Sequence, residues 1–148
     1  MITYLDSSAI VKRYVLEAGS DIVGDIYERT LSGELKIAFS VWNIGEVLGV
    51  LDKYFKKKWL EKEDYEMARL QFIGETLKLI RLRLVNIIPL RTKLLISAWN
   101  LVEKYQIYQA DALQIVSAKH VNASSFLTGD KRLYEAAAEE GLSGIYLG

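Results

Sequence analysis

The chain contains no cysteine, a single histidine and a single proline in 148 residues. Without cysteine there is no disulfide framework and no thiolate metal site. His120, the only imidazole, cannot by itself build a zinc site of the usual His and Cys type. Net charge is missing as well, because 19 Lys plus Arg balance 19 Asp plus Glu. That balance excludes a general affinity for nucleic acid or anionic membrane, so any polyanion must be met by a local site. No apolar run approaches the length of a membrane span. No basic region followed by a long apolar segment opens the chain. The expectation is a soluble cytoplasmic protein. With only Pro89 as an interruption, no low-complexity linker and no internal repeat, one domain over residues 1–148 is expected. A hydrophobic fraction of 51% is enough for a packed core.

Periodicity then predicts alternating strands and helices. Ile2 to Leu5 reads as a short buried strand. Helical spacing follows from Ser8 to about Leu16, and from Ser20 to Leu31 with Gly33 as a stop. Leu35 to Phe39 is a second strand, and Ser40 is placed to cap a helix from Val41 to about Lys57. A helix over Glu61 to about Arg81 leads to a third strand, Leu84 to Ile88. Helices over Thr92 to Tyr105 and Ala110 to His120 precede a fourth strand, Ser125 to Thr128. Lys131 to Glu140 is helical, and Ile145 to Leu147 is a last short strand. Strands separated by helices predict an α/β/α sandwich around a central parallel sheet of four to five strands. In such sheets ligands bind beyond the carboxyl ends of the strands.

Four acids stand out against this pattern. Asp6 follows the first strand and Asp130 follows the fourth, so a parallel sheet brings both to one edge. Each could also cap the next helix, since a carboxylate accepts unpaired backbone N–H groups. Glu46 is the only charged residue between Phe39 and Leu51 and lies off the stripe of Ile44, Val47, Leu48 and Leu51. It shares its side with Trp42, Gly49 and Val50, although an ordinary water-facing position would also accommodate it. Asp111 stands among Ala110, Ala112, Leu113, Ile115 and Val116, where a first-turn acid also suits the helix dipole. Four carboxylates in one pocket repel, and they either retain protons or bind cations. An all-oxygen donor set suits Mg²⁺ or Mn²⁺. Such ions activate water and neutralise phosphate oxygens.

The segments "YLDSSAIVKRY", "SVWNIGEVLGVL", "DALQIVSAKH" and "FLTGDKRL", in this order, resemble the PIN-domain nucleases, and among them the VapC-type toxin ribonucleases. The resemblance spans nearly the whole chain. It implies the same sandwich, dependence on Mg²⁺ or Mn²⁺, and hydrolysis of RNA phosphodiester bonds. By motif it makes Asp6 and Asp111 the central metal ligands, with Glu46 and Asp130 completing the site directly or through water. Ser8 and Thr128 become supporting hydroxyls. The resemblance also implies a homodimer and a small antitoxin protein as partner. Gln114 departs from the commonest pattern, because many relatives carry an aliphatic residue there. That departure bears on local packing and replaces none of the acids.

Lys12, Arg13, Lys131 and Arg132 flank the pocket in sequence and are the candidate phosphate contacts. "YFKKKWLEKEDY" mixes basic residues with Tyr54, Phe55 and Trp59, a pattern for a solvated helix end or for gripping RNA. His120 is a polar or favourable charge late in its helix and receives no catalytic role. Apolar residues crowd the segment from Trp42 to Phe72, an expected surface for dimer or antitoxin docking. Two other functions fit parts of the pattern. A haloacid-dehalogenase-like phosphatase also begins with an aspartate after a strand, but it needs a second aspartate where Ser8 stands. A catalytically silent PIN-fold module binding RNA or protein would not need all four acids.

Overall fold

The computed structural model describes all 148 residues. Five strands, β1 (Ile2–Leu5), β2 (Lys36–Ser40), β3 (Val85–Ile88), β4 (Ser125–Thr128) and β5 (Gly144–Tyr146), form one sheet in the order β3-β2-β1-β4-β5. Every pairing is parallel. The helices are α1 (Ser7–Tyr14), α2 (Ser20–Leu31), α3 (Val41–Lys56), α4 (Lys62–Arg81), α5 (Thr92–Tyr105), α6 (Gln109–His120) and α7 (Lys131–Glu139).

Side chains alternate across the sheet with the period of two that a strand imposes. Leu5, Ile37, Phe39 and Leu127 pack with Val11, Val23, Val47 and Phe72 from α1 to α4. Tyr4, Ala38, Ile88 and Phe126 point the other way and pack with Leu101, Leu113, Ile115 and Leu133 from α5 to α7. The three layers follow directly. β1 lies in the middle of the sheet and is covered on both faces, which is why its sequence is apolar without alternation. Tyr4 and Phe126 are register partners, and their rings stack at 5.5 Å. Removing a fully buried ring such as Phe72 costs about 3–5 kcal/mol through lost transfer energy and the cavity left behind.

The element ends differ from the sequence reading by a residue or two, with local causes. α1 stops at Tyr14 because Val15 turns extended (φ −126°, ψ 127°), which leaves Leu16 94% exposed with no core to reach. The chain then bends through Gly19 at φ 86°, where an added Cβ would meet Leu147 at 2.7 Å. Glycine is therefore needed both for the left-handed backbone and for the close approach. β5 begins at Gly144, one residue early, and Leu147 is buried just beyond it. Since all strands run the same way, Leu5, Ser40, Ile88 and Thr128 end at one edge, which is where the acids gather.

Candidate active site

Asp6 follows β1 and is 5% exposed. Its Oδ1 accepts from the Ala9 backbone N–H (2.9 Å) and from Ser8 Oγ (2.6 Å), and its Oδ2 accepts from Thr128 Oγ1 (2.5 Å). The cap reading is therefore correct for Asp6, and it does not exclude a second role, because one carboxylate serves both the helix and the pocket. Ser8 also accepts from the Gly129 N–H at 2.8 Å. A side chain at Gly129 would meet Lys12 Cε at 3.1 Å and Ser8 Oγ at 3.4 Å. The hydroxyls of Ser8 and Thr128 thus tie the ends of β1 and β4 together around one acid.

Glu46, Val50 and Tyr54 share one face of α3 through four-residue spacing and line a cleft of 270 Å³ together with Asp6, Asp111 and Asp130. The Glu46 Oε1 accepts from Ser7 Oγ (2.6 Å) and lies 3.3 Å from Asn43 Nδ2, which also donates to Ser7 at 2.8 Å. Asn43 in turn completes a capping box with Ser40 at the start of α3. Asp111 enters the cleft from the first turn of α6. Asp130 caps α7, its Oδ1 accepting from the N–H groups of Arg132 (2.9 Å) and Leu133 (3.2 Å). The four nominated acids, carried by four different segments, line one cleft.

The structure adds residues that the sequence did not signal. Glu17, just after α1, is a fifth carboxylate of the cleft and accepts from Tyr54 Oη and Lys12 Nζ, each at 3.3 Å. Gln114 lines the cleft yet is 2% exposed. Its Oε1 accepts from Tyr4 Oη at 2.7 Å and its Nε2 donates to the Ala110 carbonyl at 3.3 Å, so the amide orientation is fixed from both ends. Tyr4 stands two residues before Asp6, and Ala110 stands one before Asp111. The Tyr4–Gln114 bond therefore ties β1 to α6, the elements that deliver Asp6 and Asp111. Only the departure from an aliphatic residue at 114 pointed to it in the sequence.

No Lys, Arg or His lines the cleft. Burial pushes the Asp6 carboxyl up from 3.8 to about 6 against the pull of Ser8, Thr128 and Ala9, and Asp130 raises it further. Burial likewise raises Asp111 from 3.8 to about 6, with the negative charges of Asp130, Asp6 and Glu46 adding to it and Arg132 opposing. The acids thus feel one another's field. As the side chains stand, no three acids or imidazoles are close enough together to hold one ion. The reason is visible in their partners: Asp130 is turned to the α7 amides and Glu46 to Ser7. The donor chemistry, all oxygen with four carboxylates that have no ion-pair partner, fits a hard divalent cation.

The candidate phosphate contacts divide. Lys12 is 6% exposed and its Nζ is paired with Glu17. Arg13 lies against Glu75 through two bonds of 3.0 Å and reaches Glu28 at 3.3 Å. Sequence adjacency to the acids could not foresee carboxylates arriving from α2 and α4. Arg132 donates to the Gln106 carbonyl at 2.9 Å, and Lys131 forms no ion pair. In the mixed basic and aromatic segment, Phe55 stacks on Tyr65 at 4.9 Å, while Trp59 stays 62% exposed beneath Lys57. No helix is long and apolar enough to cross a membrane.

A model of the PIN domain family matches residues 3–139. No curated protein matches the chain. Among solved structures the fold is similar to FitAcB from Neisseria gonorrhoeae, with a TM-score of 0.67, 16% identity, and 98% of this chain and 96% of that one covered. It is similar to VapC20 from Mycobacterium tuberculosis, described as a sarcin-ricin loop cleaving toxin (TM-score 0.66, 13% identity, 97% and 98% covered). It is also similar to VapBC2 from Rickettsia felis bound to a DNA fragment from its promoter (TM-score 0.63, 19% identity, 100% of both chains). At these identities the likeness is one of fold.

Proposed function

This chain belongs to the PIN domain family, and from that premise we propose that it is a Mg²⁺- or Mn²⁺-dependent ribonuclease, the toxin of a toxin–antitoxin pair. The observation that carries the reading is the cleft at the carboxyl edge of the sheet in which Asp6, Glu46, Asp111 and Asp130 have no ion-pair partner, in keeping with the upward shift of Asp6 and Asp111. Asp6 and Asp111 would hold the cation, and Glu46 and Asp130 would complete the acidic site. A divalent ion bound there supplies a water of lowered pKa and neutralises charge on the scissile phosphate. Ser8 and Thr128 keep both Asp6 oxygens oriented, and the Tyr4–Gln114 bond sets the spacing of β1 and α6. Lys131 and Arg132, neither of which forms an ion pair, are the flanking cations left for substrate. A phosphatase of the haloacid dehalogenase kind lacks support, since Ser8 is engaged with Asp6 where that chemistry needs a carboxylic acid.

Partners follow from the same reading. The similar FitAcB and VapBC2 structures support a small antitoxin protein as partner. Exposed Trp42, Met67, Leu70, Leu77 and Ile80 on α3 and α4 offer apolar surface for a homodimer or for an antitoxin helix. The test is cleavage of total cellular RNA by the purified chain with Mn²⁺, with chelator, and with Asp111→Asn. Cleavage with Mn²⁺ alone, lost in the variant, is the expected result. Equal cleavage after thorough chelation overturns the mechanism.

A further inference from the structure

A groove of 710 Å³ lies apart from the acidic cleft and shares no residue with it. It runs between α5 and the end of α6 and is walled by Arg91, Lys93, Lys104, Lys119 and His120, all exposed. Glu140 is the only acid lining it, and Lys104 (3.0 Å), Lys119 (2.9 Å) and the Tyr105 hydroxyl already engage that carboxylate. Arg91, Lys93 and His120 form no ion pair. Four fixed cations therefore face one carboxylate, in a chain whose overall charge is zero. The surplus is a local feature. Arg91 also leaves the first amides of α5 without a side-chain cap where that helix opens on the groove.

A substrate argument meets this groove from the other side. RNA brings one negative charge per nucleotide, and the acidic cleft offers no cation to receive it. Lys12 and Arg13, beside the cleft in sequence, are occupied by carboxylates. Lys131 and Arg132, which form no ion pair, remain beside Asp130, and phosphates further along the strand have to be held elsewhere. α6 links the two places, with Asp111 in the cleft and Lys119 in the groove, about 12 Å apart along the helix axis. The groove floor, Leu94, Leu101 and Val116, is aliphatic and offers no ring on which a base could stack. Its chemistry matches phosphate rather than base.

We propose that the α5–α6 groove binds the phosphate backbone of the RNA outside the scissile bond, an inference that rests on the reading of the acidic cleft as a ribonuclease site. Because backbone contacts are independent of sequence, a fluorescently labelled single-stranded oligouridylate is a sufficient probe. Its binding is measured by anisotropy in chelator, across a salt series, for the wild type, for Arg91→Glu/Lys93→Glu, and for a control of equal charge change on α4, Lys62→Glu/Arg69→Glu. Loss of two phosphate contacts lowers the slope of log K against log salt by about 1.4, which is about a 25-fold loss of affinity at 0.1 M salt. The expected result is that loss in the groove variant, with the control close to wild type. An equal loss in both variants assigns the effect to bulk charge and overturns the proposal. So does unchanged binding in the groove variant, or a wild type that ignores the oligouridylate while an oligoglutamate peptide occupies the groove. Cleavage with Mn²⁺ is scored separately. A wild type that binds through the groove but never cleaves keeps the groove and refutes the nuclease reading. One that cleaves while the groove variant binds normally does the reverse.

Discussion

Asp111→Asn in metal-free protein should raise stability near neutral pH. A carboxyl whose folded pKa stands about 2 above its ordinary value costs about 3 kcal/mol when ionised, at about 1.4 kcal/mol per pH unit. Asp111 is half-buried, and solvent screening reduces that cost to about 1 kcal/mol. Loss of a favourable first-turn charge takes back about 0.3 kcal/mol. The sign follows from linkage. Between 3.8 and about 6 the folded carboxyl binds more protons than the unfolded one, so stability falls as pH rises through that window. The penalty is absent below the unfolded value and complete above about 6. The variant should therefore exceed the wild type at pH 7 by roughly 0.5–1 kcal/mol, a Tm rise of about 2–3 °C for a chain of this size, and match it or fall slightly below at pH 4. Urea denaturation in chelator at both values measures this. Excess Mn²⁺, at about 100 times its Kd, should then add about 2.7 kcal/mol to the wild type and much less to the variant. A variant less stable at pH 7, with an unaltered response to Mn²⁺, would refute the shared acidic site and leave Asp111 as an ordinary first-turn acid.

Three further outcomes are expected. Thr128→Val removes a donor from buried Asp6, so its pKa should climb above about 6 and the pH at which Mn²⁺ binding is half-maximal should move up, read by calorimetric titration. In the wild type, Mn²⁺ affinity should drop as pH falls below about 6, where Asp6 and Asp111 take up protons as a coupled pair; affinity that is flat from pH 5 to 7.5 contradicts the assigned ligands. Tyr4→Phe strands the Gln114 amide oxygen in the core and should cost about 1–3 kcal/mol, whereas Tyr4→Phe with Gln114→Leu should recover most of it, as chemical denaturation will show.

The sandwich was legible because its signals are local and periodic. An apolar run with no alternation, as in "ITYL", announces a strand covered on both faces, and Gly and Ser punctuate the helices. The strand order was not legible, since nothing in β3 says that it lies at the sheet edge beyond β2. The four acids could be nominated because parallel strands deliver their ends to one edge. The choice between cap and ligand for Asp6 and Asp130 could not be made, because their carboxylates do accept from helix amides and still line the cleft. Partners that meet only in space stayed hidden. Arg13 finds Glu75 from 62 residues away, and Tyr4 finds Gln114 from 110 away. Lys12 and Arg13, beside Asp6 in sequence, are thus occupied, while Lys131 beside Asp130 forms no ion pair, and neither do Arg91 and Lys93, far from any motif, in the groove.

The central claim is that RNA is cleaved by water activated on a metal ion that Asp6, Asp111 and their acidic neighbours would hold. Chemical analysis of the product ends tests it most directly, because the nucleophile is written into them. Attack by water on phosphorus with the 3′-oxygen leaving yields a 5′-phosphate and a 3′-hydroxyl, and those ends are predicted for the Mn²⁺-dependent reaction. Predominant 2′,3′-cyclic phosphate ends would mean that the RNA 2′-hydroxyl was the nucleophile and would contradict the account.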